Sequence, residues 1–203
     1  MKLIVKLCWL TGCLLLLSLF LGLVADKQQL QKDLIRLHVV ANSDSDEDQA
    51  IKLQVRDAIT ATLEPAMENI ESKEQAYQYI VENLTRIEET ANKNLEELGV
   101  SDRASVSLQQ EKFNVRHYDT FSLPAGIYDS LRVEIGSGSG KNWWCVVFPT
   151  LCLPAASSEF QTAAVSSGFD ADLSKTLVRE DGYVLRFYLL DLLGRLENFF
   201  CRE

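Results

Sequence analysis

A run of nineteen residues without a charge, Leu7 to Ala25, constrains this chain more than any other feature. It follows a start that carries Lys2 and Lys6, and it contains Leu14-Leu15-Leu16-Leu17. A helix of that length reaches about 28 Å, close to the thickness of a bilayer's hydrocarbon core. The stretch therefore reads either as the apolar core of a signal peptide or as a single membrane-spanning helix. Ala25 suits the residue before a cleavage, whereas Leu23, at the third place back, is larger than signal peptidases favour. A buried core helix is the weaker reading, because no polar face interrupts the run. Under both membrane readings Lys2 and Lys6 stay in the cytoplasm and everything from Asp26 onward is exported. The chain then divides into residues 1–25, signal or anchor, and residues 26–203, one exported domain. Leu10-Thr11-Gly12-Cys13 imitates a lipoprotein cleavage box, but a genuine box follows its apolar core. Here most of that core comes after Cys13.

Charge narrows the partners. Lys2 and Lys6 contribute +2 to a net charge of −9, so the exported remainder carries −11. Such a body repels phosphate backbones and anionic headgroups. Nucleic acid is excluded as a partner, and membrane contact is expected only through the N-terminal segment. With 47% hydrophobic residues, ten Gly and four Pro, the whole chain has the composition of a packed globular protein.

Leu34 to Val40 reads as a strand rich in β-branched residues and breaks at Asn42-Ser43-Asp44. Ser45 with Asp48 forms a capping box, and Asp46, Glu47 and Asp48 set negative charge at a helix's positive end. The helix carries Ile51, Val55, Ala58, Ile59 and Leu63 on one face and is expected to stop before Pro65. A second cap, Ser72 with Gln75, opens a longer helix with Ala76, Ile80, Val81, Leu84, Ile87, Ala91, Leu95 and Leu98 as its stripe, and Gly99 ends it. Ala104, Val106 and Leu108 alternate with polar residues as a half-buried strand does. Leu131 to Ile135 and Trp143 to Phe148 read as two strands joined by a glycine-rich hairpin loop, Gly136 to Lys141 and Asn142. Residues 150–182 show no clear period, and Tyr183 to Phe200 reads as a short strand leading into a terminal helix. The order predicts one α+β domain, with helices packed on an antiparallel sheet.

The catalytic motifs fail one by one. A Walker loop needs Gly where Ile135 stands and Ser or Thr where Asn142 stands. Asp44, Asp46 and Asp48 imitate a calcium loop, but Gln49 occupies the place of its Gly and Val55 that of its Glu. The two histidines, His38 and His117, and the widely spaced cysteines give no zinc pattern, so neither a metal nor a cofactor is expected. A Cys145–His pair is the remaining route to an enzyme, an exported hydrolase of cell-wall or peptide substrates. Against it, Cys145 lies in an apolar strand where a thiolate is poorly solvated. Export leaves three thiols outside, Cys145, Cys152 and Cys201, and the seven-residue spacing favours a Cys145–Cys152 bridge. What stands out instead is aromatic: His117-Tyr118, Leu123-Pro124-Ala125-Gly126-Ile127-Tyr128 and Trp143-Trp144. Adjacent strand tryptophans point to opposite faces, and an exposed one is a natural anchor for a protein partner.

The string from Ile35 to Ala58 (IRLHVVANSDSDEDQAIKLQVRDA), with His117-Tyr118, Leu123-Pro124-Ala125-Gly126, Gly140 to Pro149 (GKNWWCVVFP) and Cys152, resembles the stage II sporulation protein R family. The resemblance covers about residues 33 to 153. It implies a protein made in the forespore of an endospore-forming bacterium and exported into the intermembrane space. There it would trigger a membrane-embedded aspartic protease of the mother cell, which cleaves pro-sigma-E. The peptidase chemistry would then belong to the partner, and no catalytic residue carries over. Asn42, Ser43, Asp44, Asp48, Arg56, His117, Tyr118, Pro124, Gly126, Tyr128, Trp143 and Trp144 are on this reading candidates for partner contact or fold.

Overall fold

The computed structural model describes residues 2–67, 69–117, 122–149 and 185–200. Helix α1 (Lys2–Asp33) leads into β1 (Ile35–Val40), followed by α2 (Asp46–Met67), α3 (Lys73–Glu97) and β2 (Ala104–Phe113). A small ribbon of β3 (Arg116–His117) and β4 (Ser122–Leu123) precedes β5 (Gly126–Ile135), β6 (Asn142–Phe148) and α4 (Leu185–Phe200). The four long strands form one sheet in the order β2-β5-β1-β6. Two of its pairings, β2 with β5 and β1 with β6, are antiparallel, and the central pair β1 with β5 is parallel. The α+β expectation holds, and the parallel centre follows from the two-helix crossover between β1 and the rest of the sheet.

Because strand residues alternate, β1 feeds two cores at once. Ile35, Leu37 and Val39 join Leu131, Val133 and Val147 under the apolar stripes of α2 (Ile51, Val55, Ile59, Leu63) and α3 (Ile80, Ile87, Leu95). On the reverse face Leu30 and Leu34 pack with Phe113, Tyr128, Val146 and Leu190 of α4 in a smaller cluster. All six β1 residues are buried, Arg36 and His38 among them. Both caps form as the sequence indicates: the Asp48 amide donates to Ser45 Oγ at 3.1 Å and the Gln75 amide to Ser72 Oγ at 3.3 Å.

Three local readings are corrected. The helix from Asp46 runs through Pro65 to Met67, since burying Met67 one turn beyond Leu63 offsets the missing amide hydrogen bond. The strand from Leu131 begins earlier, at Gly126. The glycine-rich loop does not close a hairpin, because β1 lies between β5 and β6 in the sheet. On α3, side chains beside the apolar stripe also reach β2. Asn92 exchanges hydrogen bonds with the Ala104 backbone (3.0 and 2.9 Å), and Glu88 accepts from the Val106 amide at 2.9 Å. These side chains occupy backbone groups that the edge strand β2 would otherwise leave open. The strand expected from Tyr183 lies outside the described residues.

Candidate functional site

The Asn-Ser-Asp break after β1 is a clasp. Asn42 Oδ1 accepts from the Ser137 amide at 2.9 Å, and Asp44 Oδ1 accepts from the Lys141 amide at 2.7 Å. Ser43 Oγ donates to Asp48, and Gln49 donates to the Ser43 carbonyl at 2.8 Å. The buried Lys52 ammonium reaches the Lys141 carbonyl at 3.0 Å and Gln49 Oε1 at 2.6 Å, and burial pushes its pKa down. Gly140 has no Cβ because one would drive into the Ser43 carbonyl. Thus Asn42, Ser43, Asp44 and Asp48 spend their side chains on fixing the glycine-rich loop, which in turn sets where β6 begins.

The two tryptophans are the second and third residues of β6, on an edge of the sheet. Trp143 is 37% exposed, with the Arg56 guanidinium of α2 4.4 Å from its ring centre. Trp144 turns to the other face, stacked on His38 (5.5 Å, 17°) with the Arg116 guanidinium 3.3 Å from its ring centre. His38 Nε2 meets Asn142 Oδ1 at 2.8 Å, and its Nδ1 meets Glu111 at 3.1 Å. Glu111 also pairs with Arg132 at 2.5 Å, and Arg132 bridges on to Glu134 at 2.5 Å. Five strands, β1, β2, β3, β5 and β6, therefore contribute to one aromatic and charged surface on the Trp144 face. Recognition sites favour this mixture of Trp and Arg, held in place by neighbours before a partner arrives.

Electrostatics within the surface are strong. Burial alone would raise the Glu111 pKa, but hydrogen bonds led by that of His38, with Arg132, hold its carboxyl down to about 2. Since the folded value lies below the unfolded 4.5, this carboxylate stabilises the fold fully above about pH 4.5 and loses that effect as pH falls toward 2. Urea titrations from pH 6 to pH 2 should therefore show a steeper acid loss of stability for the native chain than for Glu111→Gln. Parallel curves would contradict this.

The remaining residues expected at a site are mostly structural. His117 Nδ1 meets Ser122 Oγ at 2.8 Å within the β3–β4 ribbon, its ring 6.3 Å from Phe187, and Tyr118 lies outside the described residues. Pro124 accepts from Tyr128 Oη at 3.0 Å, and both are buried. Gly126 lies against Gln31, Tyr128 and Glu197, with little room for a Cβ. Cys145 is 8% exposed and disulfide-bonded, which removes its thiolate from nucleophilic use; Cys152 lies outside the described residues. Among the described residues no group of three or more His, Cys, Asp or Glu could hold a metal ion. Sequence reasoning passed over Glu111, Arg132, Glu134 and Arg116. Their signal was present as charged residues at alternate places of strands, Arg132 and Glu134 in register with His38 and Val40.

Fold and surface together define an α+β domain carried on an N-terminal apolar helix of the kind that serves as a signal or anchor. Residues 31–158, which include the whole four-stranded sheet, match the family described as stage II sporulation protein R. Stage II sporulation protein R of Bacillus subtilis strain 168 is 32% identical over 180 residues, 80% of each chain. This chain belongs to the stage II sporulation protein R family, and its role is in sporulation. No solved structure matches it.

Proposed function

We propose that this protein is an exported signal between compartments during endospore formation, which activates a membrane-embedded aspartic protease and so leads to cleavage of pro-sigma-E in the mother cell. It acts as a ligand and not as an enzyme. By binding the active form of the protease better than the inactive one, it shifts the population toward activity. The observation that supports this reading most is the continuity of α1. Its apolar window has no fully buried residue, Leu23 near its end packs partly on the domain, and Leu30 beyond it is fully buried. A membrane-type segment and a recognition domain thus share one helix, which suits a signal presented at a membrane surface to a membrane-embedded partner.

The contact surface on this reading is the start of β6. Trp143→Ala is expected to lower protease activation about tenfold or more, the usual loss at an anchor residue, with little change in melting temperature because the ring lies outside the main core. Sigma-E maturation in sporulating cells that carry the variant gene measures this, with a deletion strain as the zero. Full activation by variants at His117, Tyr118, Trp143 and Trp144 alike would remove this surface from the account. A Cys145–Cys152 bridge belongs to the same proposal. A tryptic digest without reductant should keep the two peptides joined, and their free separation would refute the pairing.

A further inference from the structure

We infer that α4 lies in the interfacial zone of the same bilayer that α1 enters and holds the domain at a fixed tilt against the membrane. The inference rests on the reading that the uncharged run Leu7–Ala25 sits in a bilayer. Two ion pairs tie α4 to α1: Arg186 to Asp26 at 2.8 Å and Glu197 to Lys27 at 2.7 Å. On α4 these partners are eleven residues apart, roughly 16 Å along the axis, yet on α1 they are neighbours. Helix α4 therefore crosses α1 obliquely, from Asp26 to Lys27 and Gln31 (2.8 Å from Glu197), just after the uncharged run. If α1 stands near the membrane normal, α4 lies nearer the membrane plane than the normal, at headgroup depth.

The faces of α4 match that position. One side belongs to the domain: Asp191 accepts from the Ala125 amide at 3.0 Å, Asn198 donates to the Phe113 carbonyl at 2.9 Å, and Gly194 abuts Ala125. The side turned away carries Tyr188, Leu192, Leu196 and Phe199, at spacings of four, four and three residues, and each is 45–63% exposed. A stripe of Leu and Phe with a Tyr in it is what an interfacial helix presents to lipid. The charges beside it are already compensated, Asp191 with Arg195 at 2.7 Å in addition to the two pairs with α1. Among the described residues of α4, Arg186, Asp191, Arg195 and Glu197 all have ion-pair partners, which eases approach to zwitterionic headgroups. This contact adds to the one expected from residues 1–25. It commits the stripe to lipid, not to a second copy of the chain.

The test uses the full chain in phosphatidylcholine vesicles that contain a phosphatidylcholine with a diazirine on its acyl chain, with adducts mapped by mass spectrometry after illumination. Adducts are expected within residues 7–25 and on the α4 stripe, and not on Leu98, an exposed apolar residue at the far end of α3. In a chain carrying Leu192→Glu and Leu196→Glu, α4 adducts should fall roughly tenfold while those on residues 7–25 persist. Labelling of residues 7–25 without α4 would overturn the inference and leave the anchor reading intact. So would equal labelling of Leu98, undiminished labelling of the double variant, or a stripe shielded by a second copy and therefore unlabelled. Absence of labelling on residues 7–25 would instead defeat the anchor reading on which the inference stands.

Discussion

Gly194→Ala should detach α4 from the domain. A Cβ at this position would overlap the Ala125 carbonyl, a backbone group that cannot turn aside as a flexible side chain can. The helix would have to lift, which would break the hydrogen bond from the Ala125 amide to Asp191 and open the cluster around Leu190. Overpacking costs about 1–3 kcal/mol, and loss of a buried bond to a charged group adds about as much, so a total near 3 kcal/mol is expected. The control is Gly12→Ala, where a Cβ meets nothing within 4 Å. Urea unfolding in detergent should separate the two variants clearly. Equal midpoints would show that α4 is not seated as described.

The second large effect is at Arg36, the fully buried cation near the start of β1, one of the two inner strands. Its guanidinium lies 3.9 Å from the Phe113 ring centre and 5.2 Å from that of Tyr128. Aromatic faces attract a cation most when water is excluded, and a planar guanidinium fits between rings as an ammonium does not. Arg36→Ala should cost about 3 kcal/mol or more, through a cavity in the reverse-face cluster together with the lost ring contacts. Arg36→Lys should recover only part of it, because Lys lacks the flat delocalised head. Thermal unfolding of both variants checks this, and a lysine variant as stable as the native chain would remove the stacking argument.

Much of the fold was legible from local rules. The caps at Ser45 and Ser72 and the stripe from Ile51 to Leu63 are set by residues within a few positions of each other. So is the opposite facing of Trp143 and Trp144, which needs only the period of a strand. What was hidden depended on partners distant in sequence. Nothing near Asn42 indicates that its side chain is taken up by Ser137, ninety-five residues later. Likewise, Glu111 gains its meaning only when β2, β5 and β1 bring it to Arg132 and His38. The parallel pairing of β1 with β5 is equally nonlocal, since the α2–α3 crossover that permits it could have served several strand orders. That the Asn-Ser-Asp motif clasps the loop before the tryptophans is visible only in the folded chain. The charged neighbours of those tryptophans came into view only with the sheet.

The most direct measurement is reconstitution of the full chain with the membrane-embedded protease and pro-sigma-E in vesicles, following cleavage of the pro-factor as the amount of this protein is varied. The account predicts cleavage that rises with added protein and saturates in fixed proportion to the protease, and that is strongly weakened by Trp143→Ala. Cleavage at the same rate without this protein, or no cleavage at any amount of it, would contradict the account.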